Sequence, residues 1–106
     1  MMRKLSLLIL MMLLPMLASA DAVEINGIYY NLYAEDNTAE VVEGKAKYTG
    51  DYYKGDVVIP ESIEFEGKTY CVTKIGSTAF WFSSVTSVII PNTVTAIGSS
   101  AFKGCI

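Results

Sequence analysis

Histidine is absent from the 106 residues, arginine occurs once, at Arg3, and cysteine twice, at Cys71 and Cys105. Without an imidazole there is no common base to deprotonate a serine or thiol, so hydrolysis of the Ser–His or Cys–His kind is excluded. Two cysteines and no histidine are too few donors for a tetrahedral zinc site. Beyond Arg3 the forked cation that grips phosphate and base edges is missing, which argues against a nucleic-acid partner. Charge is sparse and one-sided: residues 21 to 106 hold eleven acidic side chains against six lysines, a net −5. No catalytic residue, metal or cofactor is expected.

What is present is a repeat. Ile75-Gly76-Ser77-Thr78-Ala79-Phe80 returns, twenty-two positions on, as Ile97-Gly98-Ser99-Ser100-Ala101-Phe102. That spacing falls in the range of leucine-rich repeats, which stack short units into a solenoid. An apolar strand closed by proline precedes each block, Val57-Val58-Ile59-Pro60 and Val88-Ile89-Ile90-Pro91, but the offset between these is thirty-one, so the first copy carries nine extra residues. In the second copy Val85, Val88, Ile90, Val94 and Ile97 alternate with polar Thr86, Ser87, Thr93 and Thr95, which predicts that the five aliphatics face a core. Pro91 ends its strand for want of an N–H, and Gly98 is expected to supply a backbone angle that side chains forbid. Ala101 reads as the small residue of a close approach between coils, Phe102 as a plug and Cys105 as a filler. Ile75 and Ile97 are thus expected on equivalent rungs of adjoining coils.

The run from Val88 to Cys105, Val-Ile-Ile-Pro-Asn-Thr-Val-Thr-Ala-Ile-Gly-Ser-Ser-Ala-Phe-Lys-Gly-Cys, resembles the repeat of the BspA-like leucine-rich repeat proteins. The first copy departs from that pattern by its inserted residues and by Ser83 in the cysteine place. The resemblance covers residues 54 to 106. It implies a bacterial secreted or surface protein that adheres to other proteins or cells, with no enzymatic activity common to the family.

Two coils are fewer than a solenoid needs to hide its apolar sides, and no polar capping segment follows Cys105, so a truncated stack or the first part of a longer protein is expected. At the other end, Arg3 and Lys4, the apolar run Leu5 to Leu17 and Ala18-Ser19-Ala20 have the three parts of a secretory signal. This predicts a signal helix over 1–20, cleavage before Asp21, export to the cell surface or beyond, and membrane contact only through that leader. Both thiols are expected to remain free, Cys105 inside its coil and Cys71 in the inserted segment.

Residues 21–53 lack the block but are rich in Tyr, Ile and Val, which suit half-buried strands. Val23-Glu24-Ile25 and Ile28-Tyr29-Tyr30 flank Asn26-Gly27, the turn pair that best suits a two-residue hairpin. A third strand, Ala39 to Glu43, is predicted after the turn at Glu35 to Thr38. Glu24, Gly27 and Tyr30 recur forty positions later as Glu64, Gly67 and Tyr70, so the insertion of the first repeat is expected to be a second hairpin. The fold predicted is therefore mostly β: a small antiparallel cap over 21–53, then an incomplete leucine-rich-repeat solenoid over 54–106.

Carboxylates offer little chemistry. Glu64 and Glu66 share one face of a predicted strand, about 7 Å apart at a rise of about 3.3 Å per residue, yet a solvated face explains them; Asp51, Asp56 and Glu61 lack the alternating oxygens of a calcium loop. Aromatics are the better candidates for binding, since rigid rings dominate recognition energy. Trp81 and Phe82 stand where the second copy has Lys103 and Gly104, so one of the pair is expected at the surface, with Tyr52 and Tyr53 as neighbours or as the packing beneath. The reading is a non-enzymatic interaction or adhesion module for a protein or cell-surface ligand. Its rival is a carbohydrate-binding accessory protein in which Trp81, Tyr52 and Tyr53 line a sugar site, and a third reading is the inactive start of a longer adhesin.

Overall fold

The structure is a computed structural model that describes residues 22–44 and 53–105; the leader at 1–20 and Tyr52 lie outside them. The described residues form eight strands and no helix. Among them there is no helix long and apolar enough to cross a membrane.

Strands β1 (Val23–Ile25) and β2 (Ile28–Tyr33) pair antiparallel around Asn26-Gly27, whose φ angles of 50° and 86° place both in the left-handed region. The Glu24 carboxylate accepts the Gly27 N–H at 2.6 Å and ties the turn to its own strand. Strand β3 (Thr38–Val42) follows antiparallel to β2, one residue earlier than the sequence suggests. The cap is therefore a three-stranded antiparallel sheet, with Tyr30, Ala39 and Val41 on its buried side.

Strand β4 (Lys54–Val58) leads to Pro60, and the inserted residues then build the second hairpin, β5 (Ser62–Phe65) and β6 (Lys68–Ile75). Tyr70 faces Ile63 across this hairpin as Tyr30 faces Val23 across the first. Glu66 takes the place of Asn26 at φ 50°, beside Gly67 at 79°. The duplication extends from residue identity to backbone angle. It also corrects the expectation for Glu64 and Glu66: Glu66 is a turn residue, so the two carboxylates do not share a strand face.

The second coil supplies β7 (Ser84–Ile89) and β8 (Ala96–Ile97). Each coil gives one strand to each of two parallel ladders. On one side β4 pairs β7, with Val57 beside Val88 and Val58 beside Ile89. On the other, β6 lies between β3 and β8, so that Val41, Ile75 and Ile97 occupy successive rungs. The equivalence of Ile75 and Ile97 inferred from the repeat is thus realised in one sheet, and the cap joins that sheet through β3.

Between the ladders the chain turns tightly, and the turns repeat. Thr78 and Ser100 have φ of 66° and 68°, and Phe82 and Gly104 have 54° and 81°, the members of each pair standing one repeat apart. Backbone bonds stitch the coils together: Thr95 N–H to Thr73 O at 2.9 Å and Gly98 N–H to Ile75 O at 2.8 Å. In the reverse direction Phe80 N–H donates to Ala101 O at 2.7 Å and Phe82 N–H to Lys103 O at 2.9 Å. The Phe80 and Phe102 rings stack at 5.2 Å, 2° from parallel. The Cys105 thiol donates to Phe80 O at 3.0 Å and sits 3.5 Å from the Ser83 hydroxyl that holds its place in the coil before. Both cysteines are free.

Two expectations need correction. Gly98 does not have a positive φ; it is small because a Cβ there would run into the Ser77 amide nitrogen and Cα, and would lie 2.8 Å from the Gly76 carbonyl carbon. The requirement is space between coils, not angle. Of the five aliphatics expected inside, Val85 is buried and Val88 and Val94 pack partly against the core, but Ile90 and Ile97 are 37% and 51% exposed. Their counterparts Ile59 and Ile75 are 2% and 1% exposed, because a following coil covers them, and among the described residues no coil covers the second.

Gly98→Ala should therefore force the two coils apart and cost about 1–3 kcal/mol, the usual penalty of overpacking. A urea titration followed by tyrosine and tryptophan fluorescence checks this, with a lowered midpoint at unchanged slope as the expected result.

Candidate interaction surface

The turn from Ser77 to Ser83 carries the two aromatics singled out in the sequence. Phe82 is held at a left-handed φ of 54°, uncommon for a bulky residue and a small store of strain. Its N–H is anchored to Lys103 O, and its ring lies against Gly104, where a Cβ would collide with the ring carbons. The glycine of one coil thus makes room for the phenylalanine of the coil before. Phe82 remains 57% exposed and Trp81 39%, their ring centroids 5.1 Å apart at 44°. Both are at the surface and they touch each other.

Tyr53 is elsewhere. Its ring packs at 4.7 Å on Phe80, and its hydroxyl accepts the Tyr29 N–H and donates to the Val42 carbonyl, both at 2.8 Å. It bridges β2 and β3 from the solenoid side and holds the cap to the first coil. Burial raises its phenol pKa well above the ordinary tyrosine value, and burial raises that of Tyr30 to about 12. The structure thus brings Trp81 and Phe82 together and packs Tyr53 on Phe80 instead; Tyr52 lies outside the described residues.

A second exposed surface escaped the sequence reading. On the outer side of the β4–β7 ladder, Lys54, Asp56 and Val58 alternate with half-buried Gly55 and Val57. Asp56 Oδ1 accepts the hydroxyls of Thr86 and Ser87, each at 2.8 Å, and these bonds draw its pKa below the usual carboxylate range, the Ser87 bond foremost. Beyond them Val58 and Ile89, adjacent rungs, are 61% and 59% exposed. The offset between the two Pro-closed strands already paired these residues, and strict alternation would have turned them outward. A cavity of about 450 Å³ opens between the first hairpin and this face, lined by Tyr29, Lys54, Asp56 and Val58 among others. Among the described residues no three Cys, Asp or Glu side chains gather as metal ligands.

Residues 59–106 match the family profile described as a BspA type leucine rich repeat region of six copies. Two solved structures resemble the chain. A leucine-rich repeat protein from Bacteroides capillosus ATCC 29799 is 28% identical with a TM-score of 0.67 over 80% of this chain and 59% of its own. A leucine rich cell surface protein from Faecalibacterium prausnitzii A2-165 is 33% identical with a TM-score of 0.59, over 76% of this chain and 20% of its own. The chain therefore spans little more than half of one of these proteins and a fifth of the other. No curated protein matches it.

Tyr53→Phe should unpair the Tyr29 N–H and the Val42 carbonyl and cost about 1–3 kcal/mol in the urea midpoint. The buried phenols also set a pH limit. Their pKa values are higher folded than unfolded, so the fold accommodates the protonated form; their contribution is complete below pH about 10 and is lost as pH rises toward 12 and beyond. Phenolate absorbance and urea midpoints measured across that window should show late-titrating tyrosines and falling stability together.

Proposed function

Since its residues 59–106 place this chain among the BspA-type leucine-rich repeat proteins, we propose that it is an exported, non-enzymatic interaction module that adheres to a protein on a cell surface through exposed side chains of its coils. The leader-like first twenty residues support export, residues 21–53 serve as the cap, and the cell-surface description of the Faecalibacterium protein is extended to this chain as part of the same proposal. The observation that carries the binding role is the Trp81–Phe82 pair, two contacting aromatics left at the surface on a tightly bonded turn. Rigid rings on a rigid support lose little entropy on binding, which is why aromatic residues are enriched among the few that dominate interface energy.

The carbohydrate reading rests on the same Trp81 ring, which could stack on a sugar. The two readings separate experimentally. Labelled chain is applied to intact bacterial or epithelial cells, untreated, shaved with trypsin, or treated with glycosidases. Adhesion to protein predicts loss after trypsin and retention after glycosidase, and the Trp81→Ala/Phe82→Ala double variant should weaken binding by about 30-fold or more, the loss of a hot spot worth at least about 2 kcal/mol. Binding that survives trypsin and disappears with glycosidase would transfer the function to sugar recognition. Unaltered binding by the folded double variant would remove the aromatic pair from the site.

A further inference from the structure

The two hairpins share a backbone but not a chemistry at their turns. Asn26 and Glu66 hold the same place, each at φ 50°, followed by Gly27 at 86° and Gly67 at 79°. Since a glutamate serves in the second hairpin, the fold does not need an amide at position 26. What asparagine before glycine adds is reactivity: the glycine nitrogen can attack the side-chain amide carbon and close a succinimide ring, with no side chain on the glycine to obstruct it. Asn26 and Gly27 are both exposed, and the place of a Gly27 Cβ has no atom within 4 Å. Asn37 and Asn92 are exposed as well, but each precedes a threonine, Thr38 and Thr93, whose branched Cβ crowds the nitrogen that would attack.

The native turn holds this reaction back. Positive φ at both central residues defines a type I′ turn, whose backbone turns the Gly27 nitrogen away from the Asn26 Cβ. Ring closure requires rotation of that peptide, and the rotation breaks the Gly27 N–H bond to Glu24 Oε2 at 2.6 Å. The carboxylate also holds the proton that the nitrogen must lose, and its negative charge opposes the amide anion. β1 has three residues and pairs only with β2 among the described residues, so opening the turn is a local event, far cheaper than global unfolding.

We propose that Asn26 is a site of covalent self-modification, a succinimide-forming residue held in reserve by Glu24. The Gly27 nitrogen bonds to Asn26 Cγ, the Cγ–Nδ2 bond breaks, and Nδ2 leaves as ammonia with the proton given up by Gly27. Water then opens the ring, at Cγ to leave an aspartate or at the main-chain carbonyl to leave an isoaspartate, in which the main chain is longer by one carbon. A two-residue loop cannot absorb that atom and keep the register of β1 on β2. The modification therefore releases β1, whose Val23 and Ile25 pack against the core and pair with Tyr30 and Ile28. The cap loosens with age, in one direction, while the coils behind it stand.

The purified chain is kept at neutral pH and body temperature for weeks and sampled by mass spectrometry of proteolytic peptides, which separates asparagine, aspartate and isoaspartate. Conversion at Asn26 with Asn37 and Asn92 intact is the expected result, and the urea-unfolded chain should convert at least about tenfold faster than the folded one. Folded Glu24→Ala should convert at least about threefold faster than the unaltered chain, the effect of one lost hydrogen bond. Gly98→Ala, which weakens the stack away from the turn, should leave the rate within about twofold. Hydrogen exchange should speed in β1 and β2 of the converted chain and stay slow in β6, while Asn26→Glu, which copies the second hairpin, keeps β1 and β2 slow throughout. Asn26 intact after weeks in urea overturns the proposal, as does equal conversion at Asn37 and Asn92. Slower conversion in Glu24→Ala makes the carboxylate the base and removes its guarding role. Acceleration by Gly98→Ala as large as by Glu24→Ala puts global unfolding in place of the local opening, and unaltered β1 exchange after conversion removes the release of the cap.

Discussion

Everything in this molecule leans on the burial of Phe80 between layers. Its ring meets those of Tyr53 and Phe102, its N–H is bonded to Ala101 and its carbonyl receives the Cys105 thiol. One side chain thus links the cap, the first coil and the second. The constraint behind it is general to solenoids: a coil of some two dozen residues cannot enclose its own apolar side, so stability comes from the interface with the neighbouring coil. Here the cap performs for the first coil what the second coil performs on its other face. Ile59, Val72 and Ile75 are almost wholly buried as a result.

The two hairpins show how one device serves two purposes. Glu24-x-x-Gly27-x-x-Tyr30 and Glu64-x-x-Gly67-x-x-Tyr70 make the same turn and bury the same tyrosine. At the N-terminus the hairpin is followed by β3, which pairs in parallel with β6 and closes the sheet edge. In the first repeat it is spliced into the coil itself, so β6 begins as a hairpin arm and ends as a solenoid rung, a dual use that explains its eight-residue length. Large exposed side chains are then left to the places such a scaffold does not consume, the turns between ladders and the outer ladder face. Trp81 and Phe82 occupy the first, and Asp56, Val58 and Ile89 the second.

Much of this was legible beforehand. The recurrence of the Ile75–Phe80 block located the rungs, the Asn26-Gly27 pair located the first hairpin, and the echo of Glu24, Gly27 and Tyr30 located the second, since each depends on local backbone chemistry that residue identity dictates. The likeness to the BspA-type leucine-rich repeat was read from the Val88–Cys105 pattern, and the profile of that repeat region matches residues 59–106. Comparing one copy with the other, Trp81 and Phe82 against Lys103 and Gly104, put one of the two aromatics at the surface, whereas the structure exposes both and packs neither beneath the cap.

What alternation could not supply was depth. A pattern of apolar and polar residues states which way a side chain points, and Ile75 and Ile97 are identical by that measure, yet one is sealed and the other half in solvent because burial belongs to the neighbouring coil and not to the residue. The same holds for Gly98, whose small size answers a contact with Ser77 in the coil before, and for Tyr53, whose hydroxyl finds its partners on β2 and β3. Residue order alone specifies the repeat and the turns, both of which rest on short-range geometry. Which apolar positions are covered is settled only when the coils are stacked, because coverage depends on what lies above and below each one.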